Sequence, residues 1–171
     1  VVDEVVAELG VQDALGQRHP DRTEISHEMA QVVVKTKIKN QSGKKGILKF
    51  KTEIIDPAGK KVVDAETKAE PWENDSEEFT HNIKIENPQL WSIENPQLYK
   101  ALTEVYFDGK LTDTYETPFG IRFFNFDIND GFSLNGEKLK ILGVCQHHDL
   151  GCLGSAINTR ALERQLEILK E

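Results

Sequence analysis

At 171 residues, 38% of them hydrophobic, the chain has room for one complete domain and a remainder, and its apolar content suits a one-core β-sandwich better than a large α/β protein. A formal net charge of −8, from 29 acidic against 21 basic residues, excludes a nucleic-acid binder, because phosphate recognition needs a basic surface. The sequence holds no stretch of about 18 apolar residues, which excludes a membrane-spanning helix.

The N-terminus, Val1-Val2-Asp3-Glu4, lacks the basic and apolar regions of a signal peptide, which leaves the localisation of any longer parent unknown. Residues Val1 to Val6 read as one edge strand. Val11 to Gly16 has no clear period, and Pro20 to Thr23 reads as a loop. From Gln31 onwards the pattern has period two. Val32, Val34, Thr36 and Ile38 share one face, against Lys35, Lys37 and Lys39 on the other. Leu48, Phe50, Thr52 and Ile54 repeat this, as do Phe79, His81, Ile83 and Ile85, and then Ala101, Thr103, Val105 and Phe107. Four strands, each buried on one face, predict an antiparallel sandwich. Of the nine lysines from Lys35 to Lys61, Lys35, Lys37 and Lys39 alternate with apolar residues, as do Lys49 and Lys51, so a solvated strand face and not a basic binding patch is expected.

The connections agree with strands. Asn40 to Gly46 is a polar turn, and Asp56-Pro57-Ala58-Gly59 has proline preset at its second position. Asp108-Gly109 closes a hairpin onto the strand carrying Leu111 and Tyr115. Between them, Asn87-Pro88-Gln89-Leu90-Trp91 and Asn95-Pro96-Gln97-Leu98-Tyr99 form a near-repeat. Its prolines bar a central strand and predict a bent connector with Leu90, Trp91, Leu98 and Tyr99 packed inward.

The last third reads as a tight hairpin at Asn135-Gly136, a buried strand over Leu139–Val144, a polar loop, and a helix from Asn158 to Glu171. Phe132 and Leu134 flank the turn on one side, Leu139 and Ile141 on the other. Leu162, Leu166 and Leu169 form one apolar helix stripe. A strand–loop–helix unit normally recurs many times in one sheet, so a single unit at a terminus reads as the start of a larger barrel.

Cys145-Gln146-His147-His148-Asp149-Leu150-Gly151-Cys152 concentrates the reactive side chains. Two cysteines are too few for a disulfide framework. The window offers enough ligands for zinc, but at the wrong spacing for a zinc knuckle. A cysteine nucleophile would need a positioned histidine and an oxyanion hole. A substrate-facing strand end and a plain polar loop remain the other readings.

Four motifs in order make a specific resemblance: Leu90 to Tyr99, Phe119-Gly120-Ile121-Arg122, Phe132-Ser133-Leu134-Asn135-Gly136, and Gly143-Val144-Cys145-Gln146-His147-His148-Asp149. Over about residues 28–171 the chain resembles glycoside hydrolase family 2, the β-galactosidases, β-glucuronidases and β-mannosidases, and the last motif is most similar to bacterial β-galactosidases. Ile121 stands where that family usually has phenylalanine, and Gly10 to Arg22 departs from its usual lead into the sandwich. The resemblance implies a mostly β chain. An immunoglobulin-like sandwich over residues 1–126 is followed by residues 127–171 as the incomplete N-terminal piece of a catalytic TIM barrel.

It further implies that no catalytic residue lies in this chain, because both glutamates of the family's retaining mechanism belong to later barrel strands. Glu163, Glu167 and Glu171 are a solvated helix stripe. His147 is the one expected substrate-binding residue, a neutral imidazole that can exchange hydrogen bonds with a sugar hydroxyl, with Asp149 as an orienting partner. His148 is expected to face away. No cofactor and no metal are expected. The implied partners are a carbohydrate substrate, the rest of the barrel and, in the parent, further copies in a homo-oligomer. Two other readings compete with a non-catalytic spacer in a β-galactosidase-like parent. One is a carbohydrate-binding module using Trp72, Trp91, Tyr99 and Tyr106; the other is a β-glucuronidase- or β-mannosidase-type parent.

Overall fold

The computed structural model describes residues 2–9, 25–40, 44–72, 76–143, 145 and 151–170, with the backbone alone at 2–9 and 70–72. The chain forms two compact units, residues 1–139 and 140–171. The first contains every strand.

Strands β1 (Val2–Leu9), β2 (Met29–Lys39) and β5 (Ser76–Glu86) make one sheet, in the order β1-β2-β5. Strands β3 (Gly46–Ile55), β4 (Lys61–Trp72), β6 (Tyr99–Phe107) and β7 (Lys110–Phe119) make a second, in the order β4-β3-β6-β7. All pairings are antiparallel. The connections β2 to β3, β4 to β5 and β5 to β6 each switch sheet, the immunoglobulin-like arrangement of a sandwich. A small third sheet joins β8 (Phe124–Asp127), β9 (Gly131–Leu134) and β10 (Glu137–Lys138).

The period-two faces are the buried ones. Val32, Val34, Thr36 and Ile38 of β2 oppose Leu48, Phe50, Thr52 and Ile54 of β3, all at most 1% exposed. The apolar interior forms two clusters. One gathers Ala30, Val32, Val34, Ile83 and Ile85 from the first sheet with Ile54, Tyr99, Ala101 and Phe119 from the second. The other holds Ile38, Leu48, Phe50 and Val105. Removing a side chain the size of Phe50 from such a core costs about 3–5 kcal/mol.

Four buried polar residues accompany these clusters: Thr36, Thr52, His81 and Thr103. Thr52 Oγ1 lies 3.0 Å from His81 Nδ1 and 3.3 Å from Thr103 Oγ1, and His81 Nε2 lies 2.8 Å from Thr67 Oγ1. The imidazole stacks on Phe50, with ring centroids 4.7 Å apart. A neutral imidazole has one donor and one acceptor, and hydroxyls on both sides satisfy either tautomer.

The turns follow their residues. Asp56 Oδ1 accepts from the amides of Ala58 and Lys60, and Gly59 takes φ +83°. Asp108-Gly109 and Asn135-Gly136 have positive φ at both positions, as a two-residue type I′ hairpin requires. The N-terminal strand exists, at the sheet edge, and runs to Leu9.

Three expectations need correction. Leu98 is 52% exposed, whereas Tyr99 is buried and Leu90 and Trp91 are half-buried. Leu139–Gly143 form no strand: the Leu139 amide donates to Phe132 O at 3.0 Å, and there the hairpin pairing ends. A parallel barrel strand takes its hydrogen bonds from neighbouring strands, and the described residues include none for it to pair with. Ile141 is accordingly 64% exposed and does not flank the turn.

In the second unit, a 3-10 turn at Gly151–Leu153 precedes helix α1 (Thr159–Lys170). Asn158 caps the helix, its Oδ1 accepting from the Ala161 amide at 3.1 Å. Leu166 and Leu169 are 60% and 56% exposed. No helix among the described residues is long and apolar enough to cross a membrane.

Burial holds the His81 imidazole below its ordinary pKa, because the interior disfavours the charged form. Above about pH 6.5 neither the folded nor the unfolded chain charges this ring, and its contribution to stability is complete. As pH falls through 6.5, the unfolded chain takes up a proton that the folded one resists, and stability drops. The urea midpoint should therefore fall between pH 7.5 and pH 5.5, and His81→Gln should flatten that fall. The ion-paired carboxylates Glu53, Asp64 and Glu66 titrate lower than usual, so this window leaves them charged. An unchanged slope in His81→Gln would show that the buried ring is not the titrating group.

Candidate functional site

The end of the sandwich from which the hairpin leaves is a knot of side chains from three of the four sequence motifs, those at Leu90 to Tyr99, Phe119 to Arg122 and Phe132 to Gly136. Gly120 follows β7, and a Cβ there would sit 3.1 Å from Trp91 Cβ and Cδ1, so glycine permits the close pass. Ile121 is fully buried in the larger apolar cluster, an aliphatic side chain filling the slot where phenylalanine was expected. The Trp91 amide donates to Ile121 O at 2.7 Å, and the Arg122 guanidinium lies 4.9 Å from the Trp91 ring centroid.

Asn135 ties the hairpin to this knot. Its Nδ2 donates to Trp91 O at 3.0 Å, and its Oδ1 accepts from the Phe123 amide at 3.2 Å. Its own amide donates to Phe123 O at 2.8 Å, and its carbonyl lies 3.0 Å from His27 Nε2. The His27 ring meets Phe123 edge-on, with centroids 5.5 Å apart. Asparagine meets two demands at once. Its φ of +52° is tolerated by few other residues, and its carboxamide both donates and accepts.

Beside the knot runs an open groove of about 340 Å³. It is walled by Pro88, Leu90 and Ile93 of the connector and by Leu134 and Leu139 of the hairpin, with His27 between them. The connector is braced locally: Ser92 Oγ accepts from the Asn95 amide at 3.0 Å, and Tyr99 Oη accepts from the Gln89 amide at 2.8 Å.

The two expected site residues, His147 and Asp149, lie outside the described residues, as does His148. Cys145 and Cys152 are exposed, and neither is in a disulfide. Among the described residues no group of three or more His, Cys, Asp or Glu is placed to hold a metal ion. Glu163 and Glu167 both bind Arg160 on the helix surface, at 3.0 and 2.9 Å, and do not face each other across a cleft. The Trp72 side chain lies outside the described residues, and the other three candidate aromatics form no shared platform. Tyr99 is 3% exposed and stacks on Phe119, Tyr106 donates to Glu104, and Trp91 is half-buried beneath Arg122. Sequence reading missed the role of Asn135. Its Asn-Gly context explains the turn, but the carboxamide's partners are 12 and 44 residues away in sequence.

The model of the family described as Glycosyl hydrolases family 2 matches residues 21–122. This chain belongs to glycosyl hydrolase family 2. It is 40% identical over 147 residues to the β-galactosidase BoGH2A of Bacteroides ovatus, a match covering 86% of this chain and 17% of that protein. It is 34% identical over 119 residues to a β-glucuronidase of Formosa agariphila, covering 70% of this chain and 12% of that one. A crystallised family 2 glycosyl hydrolase from Bacteroides cellulosilyticus superposes with a TM-score of 0.77 at 31% identity, covering 97% of this chain and 21% of that chain. The chain thus spans about a fifth or less of the length of these relatives.

Replacing Asn135 tests the knot. Asn135→Gly keeps the left-handed backbone but removes both carboxamide bonds, and should cost roughly 1–3 kcal/mol. Asn135→Ala should lose about 1 kcal/mol more, because alanine resists positive φ. Urea unfolding followed by tryptophan fluorescence measures both, and equal stability of Asn135→Gly and the parent would deny the knot any weight.

Proposed function

We propose that this chain is the sandwich and the first part of the catalytic barrel of a larger retaining glycosidase, which releases terminal β-linked galactose from oligosaccharides. The observation that supports a galactosidase most is the 40% identity to the Bacteroides ovatus protein across 86% of the chain. Matches to proteins named β-glucuronidases keep a uronic acid substrate as the second reading.

In this reading residues 1–126 are a non-catalytic support and residues 127–171 belong to the barrel. The support role draws on the Asn135 knot: a hairpin fastened by side chain and backbone leaves the sandwich at a fixed angle. A barrel whose first segment is held in this way loses less orientational freedom on assembly. The carbohydrate-binding alternative is weakened because Tyr99 is buried and Arg122 covers Trp91.

His147 is the residue proposed to contact the sugar: with neighbouring barrel strands to pair with, Leu139–Val144 would become the first barrel strand and His147 would follow its C-terminal end, where active sites of this architecture lie. A neutral imidazole can donate to or accept from a hydroxyl, and Asp149 would fix its tautomer. The carboxylate pair that would attack and protonate the glycosidic bond belongs to the rest of the enzyme.

Two measurements test the proposal. The 171-residue chain should not cleave a chromogenic β-galactoside; turnover that co-purifies with it would sink the non-catalytic reading. In the larger enzyme, His147→Ala should lower kcat/KM on galactosides by roughly 5- to 150-fold, the range for losing one hydrogen bond of about 1–3 kcal/mol. His148→Ala should do less, and equal losses would show that the facing assignment fails.

A further inference from the structure

Asn135 is the only asparagine in the sequence that is followed by glycine. That pair carries a chemistry of its own. The backbone nitrogen of the following residue can attack the carboxamide carbon, and glycine, having no Cβ, leaves the approach open. The N–Cγ bond forms, the Cγ–Nδ2 bond breaks, and ammonia leaves with the proton of the attacking amide. The product is a five-membered succinimide. Water then opens the ring at either carbonyl, giving aspartate or isoaspartate. In sum one water is taken up and one ammonia released.

The folded hairpin keeps the two reacting groups apart. The first central residue of a type I′ turn has ψ of about +30°, which turns the next amide nitrogen away from its own Cβ, whereas ring closure needs the two side by side. Asn135 and Gly136 hold this turn with φ of +52° and +84°, and Leu134 pairs with Glu137 across it. The side chain is tied as well. Nδ2, the atom that must leave, donates to Trp91 O at 3.0 Å, and Oδ1 accepts from the Phe123 amide at 3.2 Å. Gly136 is exposed, so water and base reach the turn. Geometry, and not the exclusion of water, opposes the reaction.

We propose that Asn135 is a self-modification site gated by opening of the hairpin, and that its conversion irreversibly unfastens the hairpin from the sandwich. The closed form is inert. Each opening exposes an unhindered Asn-Gly pair, so the rate follows the open population. Neither product restores the tie. An aspartate carboxylate only accepts hydrogen bonds, and it sets a negative oxygen against Trp91 O. Isoaspartate routes the main chain through Cγ, which adds a backbone atom to a two-residue turn and spoils the pairing of Leu134 with Glu137.

The test incubates the 171-residue chain beside a synthetic peptide of residues 129–141 in mildly alkaline buffer. Peptide mapping by mass spectrometry then counts aspartate and isoaspartate at position 135. The folded chain should convert about tenfold more slowly than the peptide, or slower still, and urea above its unfolding midpoint should raise its rate to the peptide's. Equal rates in the folded chain and the peptide overturn the gate. Aspartate without isoaspartate overturns the succinimide route, because direct hydrolysis of the side chain gives aspartate alone. Chain converted in urea, refolded and separated by its added negative charge should unfold at lower urea than the unconverted chain. Asn135→Asp, expressed directly, should fall with it. A parental midpoint in Asn135→Asp and in the converted chain overturns the unfastening.

Discussion

The face-to-face burial of β2 and β5 against β3 and β6 is the constraint on which the other elements depend. Each of these strands commits every second residue to the interior, and a slip of one residue would exchange Val32, Val34, Thr36 and Ile38 for Val33, Lys35, Lys37 and Lys39. Charged side chains cannot take those places, so the register of these four strands has no near competitor. Strands β1, β4 and β7 complete the two sheets around these four. The outward lysines need no external partner for this: Lys49 pairs with Glu66 and Lys61 with Asp64 across the sheet surface.

Inside that frame, the Thr52, Thr67, His81 and Thr103 network adds specificity to an otherwise apolar interior. Its hydrogen bonds join β3 to β6 within one sheet and, through His81 of β5, to the opposing sheet. Polar groups placed this deep are costly if their partners are lost. They therefore penalise any packing in which the two sheets slide, while Phe50 clamps the imidazole by stacking.

The sandwich acts on the hairpin through its end, not through its faces. Trp91, Gly120, Arg122 and Asn135 come from a connector, a strand exit and a hairpin, and each is meaningful only beside the others. Gly120 leaves room for Trp91, Arg122 covers the indole, and Asn135 binds the Trp91 carbonyl. This arrangement gives three separated motifs of the chain a common physical consequence: they fasten the hairpin to the sandwich.

Alternation alone determined the sandwich class, the four central strands and their buried faces, because period-two burial is written in local residue order. Turn chemistry likewise determined Asp56 to Gly59, Asp108-Gly109 and Asn135-Gly136, where the required positive φ selects asparagine, aspartate and glycine. The end of the chain was read from motifs, and His147 and Asp149 rest on resemblance alone, lying outside the described residues. Strand β4 went unread because Ala65, Thr67 and Ala69 give too little polarity contrast to mark a buried face, and β8 because its phenylalanines face outward. Only the tertiary structure decided that Leu98 faces solvent while Tyr99 is buried, and that Leu139–Gly143 is not a strand. It also decided that one carboxamide joins residues 91, 123 and 135. Those outcomes depend on partners far away in sequence, and local pattern carries no information about a partner that the fold alone brings near.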